Sequence, residues 1–204
     1  TYPSVLMVFA VAVLTFVITY VVPSFTSMYE STGSNLPGIT VAIINISDFI
    51  TGNWYYIIGV IALVVIIFYL LYHSSNKFKY GVQYLIMHIP VVKDIVKYNQ
   101  LVTFTSTFST LIKHDVFITD SMDILSKITE NEIYKKMIND AIVNLSKGNG
   151  VSVAFKGQWA FPETAYEMLV TGEKTGKLGE MMEHVAAYYQ EEQTNIVSRL
   201  KSLI

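Results

Sequence analysis

The chain has 204 residues, 14 Lys and Arg against 16 Asp and Glu, a formal net charge of −2 and no cysteine. That composition excludes disulfides and thiolate metal sites, and a near-neutral balance gives no electrostatic ground for nucleic-acid binding. The charge is unevenly spread, however: every Lys and Arg follows Tyr72, and the first 72 residues carry only Glu30 and Asp48.

Residues 5–22 and 54–72 contain no charged side chain. As helices rising about 1.5 Å per residue, each is about long enough to cross a ~30 Å hydrocarbon layer. Both are apolar on every face, unlike the shorter amphipathic helices of a soluble core. Tyr20, Phe25 and Tyr29 gather at the far end of the first run, Trp54, Tyr55 and Tyr56 open the second, and Tyr69 and Tyr72 close it. Such aromatic belts mark membrane–water interfaces. The connecting residues 23–53 have no Lys or Arg, whereas Lys77, Lys79, Lys93 and Lys97 follow the second run. The positive-inside bias then puts loop 23–53 outside and the remainder in the cytoplasm. A cleaved leader is disfavoured, because no basic region precedes Val5 and Pro23 stands where small residues would be needed. Starting at Thr1 without an initiator Met, the chain reads as a piece of a longer protein. The expected division is a transmembrane hairpin over residues 1–75 and a helical-bundle domain over 76–204.

The second part holds fourteen basic residues and fourteen acidic ones, the 16 of the chain less Glu30 and Asp48, so its formal charge is zero. Its pattern is helical. A short segment near Tyr84 and Met87 comes first. Leu101, Phe104, Phe108, Leu111 and Ile112 then recur at helical spacing. Asp120 is expected to open a short helix carrying Met122, Leu125 and Ile128. Thr129 with Glu132 forms a capping-box pattern before a helix with Tyr134, Met137, Ile138, Ala141, Ile142 and Leu145, and Gly148 suits its left-handed cap. Pro162 and Glu163 suit the start of a helix that Gly172 ends. The last helix runs from Leu178, with Met181, Met182, Val185, Tyr189, Ile196, Leu200 and Leu203 on its apolar side. The expected fold is all-α: the hairpin, then an antiparallel bundle of about six helices.

Chemistry is harder to find. Gly172-Glu173-Lys174-Thr175-Gly176-Lys177-Leu178 invites comparison with a phosphate-binding loop, but only three residues separate the glycines, Leu178 replaces the magnesium-binding Ser or Thr, and a helix precedes it. It reads better as an interhelical turn in which Gly172 and Gly176 supply the backbone freedom and Glu173 and Lys174 stand at an exposed tip, placed for a partner contact. Lys147-Gly148-Asn149-Gly150 reads as another turn. His73, His88, His114 and His184 are dispersed, no Gly-x-Ser-x-Gly elbow occurs, and the adjacent Glu191 and Glu192 point about 100° apart. The residues propose no active site and no cofactor.

Together these segments resemble the inner-membrane platform proteins of type IV pilus, type II secretion and competence machines. Tyr2-Pro3 ahead of an apolar span ending Val21-Val22-Pro23-x-Phe25 is similar to that family's first span. Leu36-Pro37-x-x-Thr40 and Ser47-Asp48-Phe49 are similar to its outer loop. Thr107-Phe108-Ser109-Thr110-Leu111-Ile112 resembles its Thr-Leu-x-x-Leu-Leu segment, and Phe161-Pro162 its Phe-Pro helix start. Gly172-Glu173-x-Thr175-Gly176-x-Leu178, followed by Met181-Met182, Ala186 and Tyr189, resembles its most recognisable signature. The chain departs from the pattern at Thr103 and Ser106, where the family has arginines, and at Asp115-Val116-Phe117, where it has Gly-Val-Pro.

The resemblance implies a multi-pass scaffold of the bacterial inner membrane that does no chemistry. It would form a homo-oligomer and couple a cytoplasmic hexameric ATPase to assembly of pilins or pseudopilins alongside other inner-membrane assembly proteins. It also implies a first helical domain and a final span outside this chain, with residues 200–204 leading into that span. The candidate contact motif is Gly172, Glu173, Lys174, Thr175, Gly176 and Leu178. Two rival classes remain, a membrane enzyme or a transporter completed by further segments. The spans carry no charge that would favour transport.

Overall fold

The structure, a computed structural model, describes residues 2–21, 23–25, 52–90 and 92–202, with residues 28, 38, 41, 42, 45, 46 and 49. Tyr29, the Leu36-Pro37 and Thr40 motif, Ser47, Asp48 and Leu203 lie outside the described residues. Among those described the fold is all-α, with eight α-helices and no strand. The chain divides into two units, Thr1–Leu70 and Leu71–Ile204.

In the first unit, α1 (Tyr2–Phe16) continues as a π-helical turn, Val17–Val21. Pro23 follows, and a residue without an N–H whose ring crowds the preceding turn is a physical reason for the wider winding. α2 spans Trp54–Ser74, entered through Asn53, whose side-chain amide donates to the Phe49 carbonyl at 3.0 Å. The apolar stretches Val5–Phe25 and Trp54–Ser74 bury nothing within the fold. In water such helices would leave rows of Val, Leu, Ile and Phe exposed, whereas hydrocarbon removes that cost. The Thr and Ser hydroxyls of the first stretch suit such a solvent: Thr15, Thr19 and Ser24 donate to the carbonyls of Val11, Thr15 and Tyr20 at 2.8, 2.6 and 2.7 Å. Those three hydroxyl protons need no water.

The second unit carries α3 (Asn76–Ile86), α4 (Val92–Lys113), α5 (Ile118–Ile128), α6 (Glu132–Ser146), a 3-10 turn (Val151–Phe155), α7 (Glu163–Thr175) and α8 (Leu178–Ser202). These are the six expected helices, with some ends moved. α5 begins at Ile118, so Asp120 lies in its first turn. α6 is capped by Asn131, whose Oδ1 accepts the Ile133 and Tyr134 N–H groups at 3.0 and 3.1 Å; Thr129 is the C-cap of α5. Gly148 takes φ +78° after α6, the left-handed cap its position suggested. Asp115 adopts φ +60° where the resembled family has Gly. A non-glycine residue held there costs on the order of 1 kcal/mol.

α8 packs along α4 in the opposite direction, Ser109 meeting Gly179 and Tyr98 meeting Tyr189. Phe104 of α4 centres an aromatic core with Phe108, Tyr134, Phe155 and Phe161 at centroid separations of 5.2 to 6.4 Å. Tyr134 is fully enclosed, and burial pushes its phenol well above the usual tyrosine range. Its hydroxyl donates to the Ala160 carbonyl at 2.9 Å, tying α6 to the approach to α7.

Candidate functional site

The α7–α8 turn is built from α7 outward. Pro162 precedes the first turn, and Ala165, Leu169 and Gly172 form the buried face. Gly172 does not end the helix, which runs to Thr175; the left-handed cap is Gly176 at φ +72°. Gly172 is instead a point of close approach, because a Cβ there would stand 3.0 Å from the Leu178 Cα and 3.1 Å from the Met181 side chain. Its carbonyl accepts the Lys177 N–H at 2.9 Å, closing the turn.

Glu173 is not at an exposed tip. Its carboxylate faces the 3-10 turn, where it accepts the Val151 N–H, the Ser152 N–H at 3.4 Å and the Ser152 hydroxyl at 2.5 Å. It thereby supplies the cap that Gly150 cannot make for Val151–Phe155. The two glycine-rich turns, separate in sequence, are one structure joined by Glu173.

Lys174, Thr175 and Lys177 remain exposed, with Glu180 paired to Lys177 at 3.5 Å. Leu178, Met182, Ala186 and Tyr189 turn into the core. The candidate motif therefore splits: Gly172, Glu173 and Leu178 hold the turn from behind, Gly176 sets its bend, and Lys174 and Thr175 form its outer edge, joined there by Lys177, which lies outside the motif.

The residue 107–112 segment meets the start of α8. The Ser109 hydroxyl donates to the Gly179 carbonyl at 2.6 Å, and a Cβ at Gly179 would lie 3.1 Å from the Lys113 side chain and 3.4 Å from Ile112. Lys113 pairs with Glu183 at 2.5 Å, and its hydrogen bond, then its charge, holds the Glu183 carboxyl below the usual range. Both ends are solvated, so the pair contributes little to stability.

Among the described residues no catalytic geometry emerges. A cleft of 230 Å³ is lined by Gln100, Thr103, Phe104, Thr129, Glu130 and Tyr134, among others, with one carboxylate and no nucleophile–base pair. Among the described residues no three His, Asp or Glu side chains converge to hold a metal ion. His73 ends α2, His114 follows α4, and His184 sits exposed beside Glu183. His88 does find partners that sequence reasoning missed: its ring centroid lies 4.1 Å from Tyr84 and 4.5 Å from Trp159, with the Lys97 ammonium 6.0 Å from the Trp159 ring. Burial holds that ammonium below the ordinary lysine range, against the opposing pull of Asp94.

Residues 104–204, from the centre of α4 through α8, match the family described as type II secretion system (T2SS), protein F. The whole chain is 29% identical to the type IV pilus assembly protein PilC of Pseudomonas aeruginosa, covering 54% of it. It is likewise 27% identical to TapC of Aeromonas hydrophila, a type IV pilus assembly protein, covering 49%. Over 91% of its length it is 24% identical to the type II secretion system protein F of P. aeruginosa, covering 45%. The chain thus spans about half the length of the relatives it matches.

Proposed function

Because the chain belongs to the family of inner-membrane platform proteins of type IV pilus and type II secretion systems, we propose that it is a mechanical scaffold on which a cytoplasmic hexameric ATPase drives the assembly of pilins or pseudopilins. Relatives bear the names of pilus assembly and secretion proteins. Coupling needs a stiff surface that can take a load, whereas catalysis needs convergent titratable groups. The α7–α8 turn supports the first: its outer edge of Lys174, Thr175 and Lys177 is backed by the Glu173 contacts and the Gly172 packing. That backing is the observation on which the reading rests.

Recognition by local charge and shape suits a formally neutral domain better than long-range steering. Reversing Lys174 and Lys177 together to Glu is expected to weaken ATPase binding at least about tenfold without lowering the melting temperature. Unchanged affinity in a pull-down titration of the double variant would remove this edge from the interface. Residues 1–75 are proposed as a transmembrane hairpin whose loop 23–53 lies outside, with residues 76–204 in the cytoplasm, on the strength of the one-sided Lys distribution. With cysteines introduced singly at Ser34 and Ser146, an impermeant thiol reagent on intact cells should modify the first and spare the second. The opposite pattern would invert the topology.

A further inference from the structure

α3 has one face committed and one uncovered. The committed face carries Lys79, paired with Glu132 at 3.3 Å, and Gln83, which donates to the Glu130 carbonyl at 3.3 Å and accepts the Glu132 N–H at 2.7 Å. Met87, 2% exposed, continues it. On the other side Tyr84 and Leu85 are 42% and 67% exposed, and the chain runs on through Ile89 and Val92 at 47% and 38%. Trp159, 38% exposed and distant in sequence, completes the patch with its ring centroid 5.4 Å from Tyr84. Single exposed apolar residues are ordinary, but an exposed Tyr84–Trp159 pair with Leu85, Ile89 and Val92 exposed in the same stretch of chain signals a partner.

The rim of this patch is basic. Lys77 and Lys93 are exposed and enter no ion pair among the described residues, and Lys97 leans over the Trp159 ring. Asp94 is the acid whose charge reaches Lys97. Tyr and Trp beside aliphatic side chains, ringed by Lys, form the composition that the headgroup–acyl boundary of an anionic bilayer selects. Connectivity points the same way, given the reading above that α2 crosses the membrane. Only Ser75 separates α2 from α3, and the 11 residues of α3 extend about 16 Å, so the patch is tethered close to where the chain leaves the bilayer.

We propose that Tyr84, Leu85, Ile89, Val92 and Trp159 form a lipid-binding face that lies in the interfacial layer of the membrane, with Lys77, Lys93 and Lys97 set over anionic headgroups. This inference rests on the membrane reading of α2 and adds a second attachment, one that fixes the tilt of the bundle's first helix. A scaffold under load gains from two anchors, because a single span leaves the domain free to swivel.

The full chain has two tryptophans, so Trp54→Phe leaves Trp159 as the only one. Reconstituted into phosphatidylglycerol-rich vesicles whose acyl chains are brominated near the glycerol end, that variant should lose at least about half its fluorescence to lipid quenching. Adding Leu85→Glu with Ile89→Glu should restore most of it, and these exposed sites should leave the melting temperature unchanged. Trp159 that ignores brominated lipid and stays open to aqueous iodide would overturn the proposal. So would shielding that grows with the protein-to-lipid ratio, since a second copy would then be the occupant. Release of the chain from the vesicles by alkaline carbonate would instead sink the membrane reading of α2, and this inference with it.

Discussion

Replacing Glu173 by Ala should lower the stability of the helical domain by about 2–4 kcal/mol, since each buried donor left without an acceptor costs about 1–3 kcal/mol. The magnitude follows from what the carboxylate serves. Val151 and Ser152 are 0% and 7% exposed, so after truncation their N–H groups cannot turn to water. The Ser152 hydroxyl can reorient, but the backbone donors cannot. An ionised acceptor at the start of a helical turn makes stronger hydrogen bonds than a neutral one, so Glu173→Gln should fall between Ala and the unaltered chain. Glu173→Lys should be worst, because it sets a cation against N–H dipoles left without an acceptor. Lys174→Ala, one residue on and solvated, should stay within about half a kcal/mol of the parent. Thermal unfolding of the full chain in detergent, with hydrogen exchange read at Val151–Phe155, checks the series. Early exchange confined to that turn in Glu173→Ala is the expected signature. Equal melting of Glu173→Ala and the parent would show that the contact contributes nothing.

This result also bears on function. The Glu173 of the candidate motif invites mutation as a surface contact, yet loss of activity there would report a loosened turn. Lys174 and Lys177 are the positions where binding and folding can be separated.

Local signals in the chain proved readable wherever one residue carries them unaided. Apolar runs uninterrupted by charge marked both apolar helices, α1 and α2, and i, i+3, i+4 spacing located Leu101, Phe104 and Phe108, all buried. Gly148 was legible because a left-handed cap is a local demand, and Gly176 as a glycine of the turn, although the helix end was expected at Gly172. Signals failed where two candidates compete or where the partner is remote. Thr129 matches the capping-box spacing, but Asn131 reaches two N–H groups directly while Thr129 ends the preceding helix. Glu173 meets Val151 across 22 residues, and Tyr84 meets Trp159 across a longer gap, so no spacing rule within either segment could reveal them. Gly172 is the sharpest case, because its absent side chain is explained by the next helix.

That glycine carries the last expectation. Gly172→Val should destabilise the domain by about 3 kcal/mol or more, the upper range for overpacking a well-filled contact. The first atom added would already sit 3.0 Å from the Leu178 Cα, and backbone cannot yield as the end of a side chain can. Gly176→Ala makes the contrast: its Cβ would meet open space, so the penalty is only the left-handed conformation, about 1–2 kcal/mol. Shortening Met181 to Ala in the Gly172→Val chain should recover part of the loss by removing the Met181 Cγ at 3.1 Å, but not the part owed to the Leu178 Cα or to the Met181 Cβ, which alanine keeps. Melting temperatures of the three variants rank these effects. If Gly176→Ala proved the more damaging, stability would be set by the bend itself. The expected order makes the approach of α7 to α8 the governing feature, with the exposed edge of Lys174 and Lys177 held only as firmly as that approach allows.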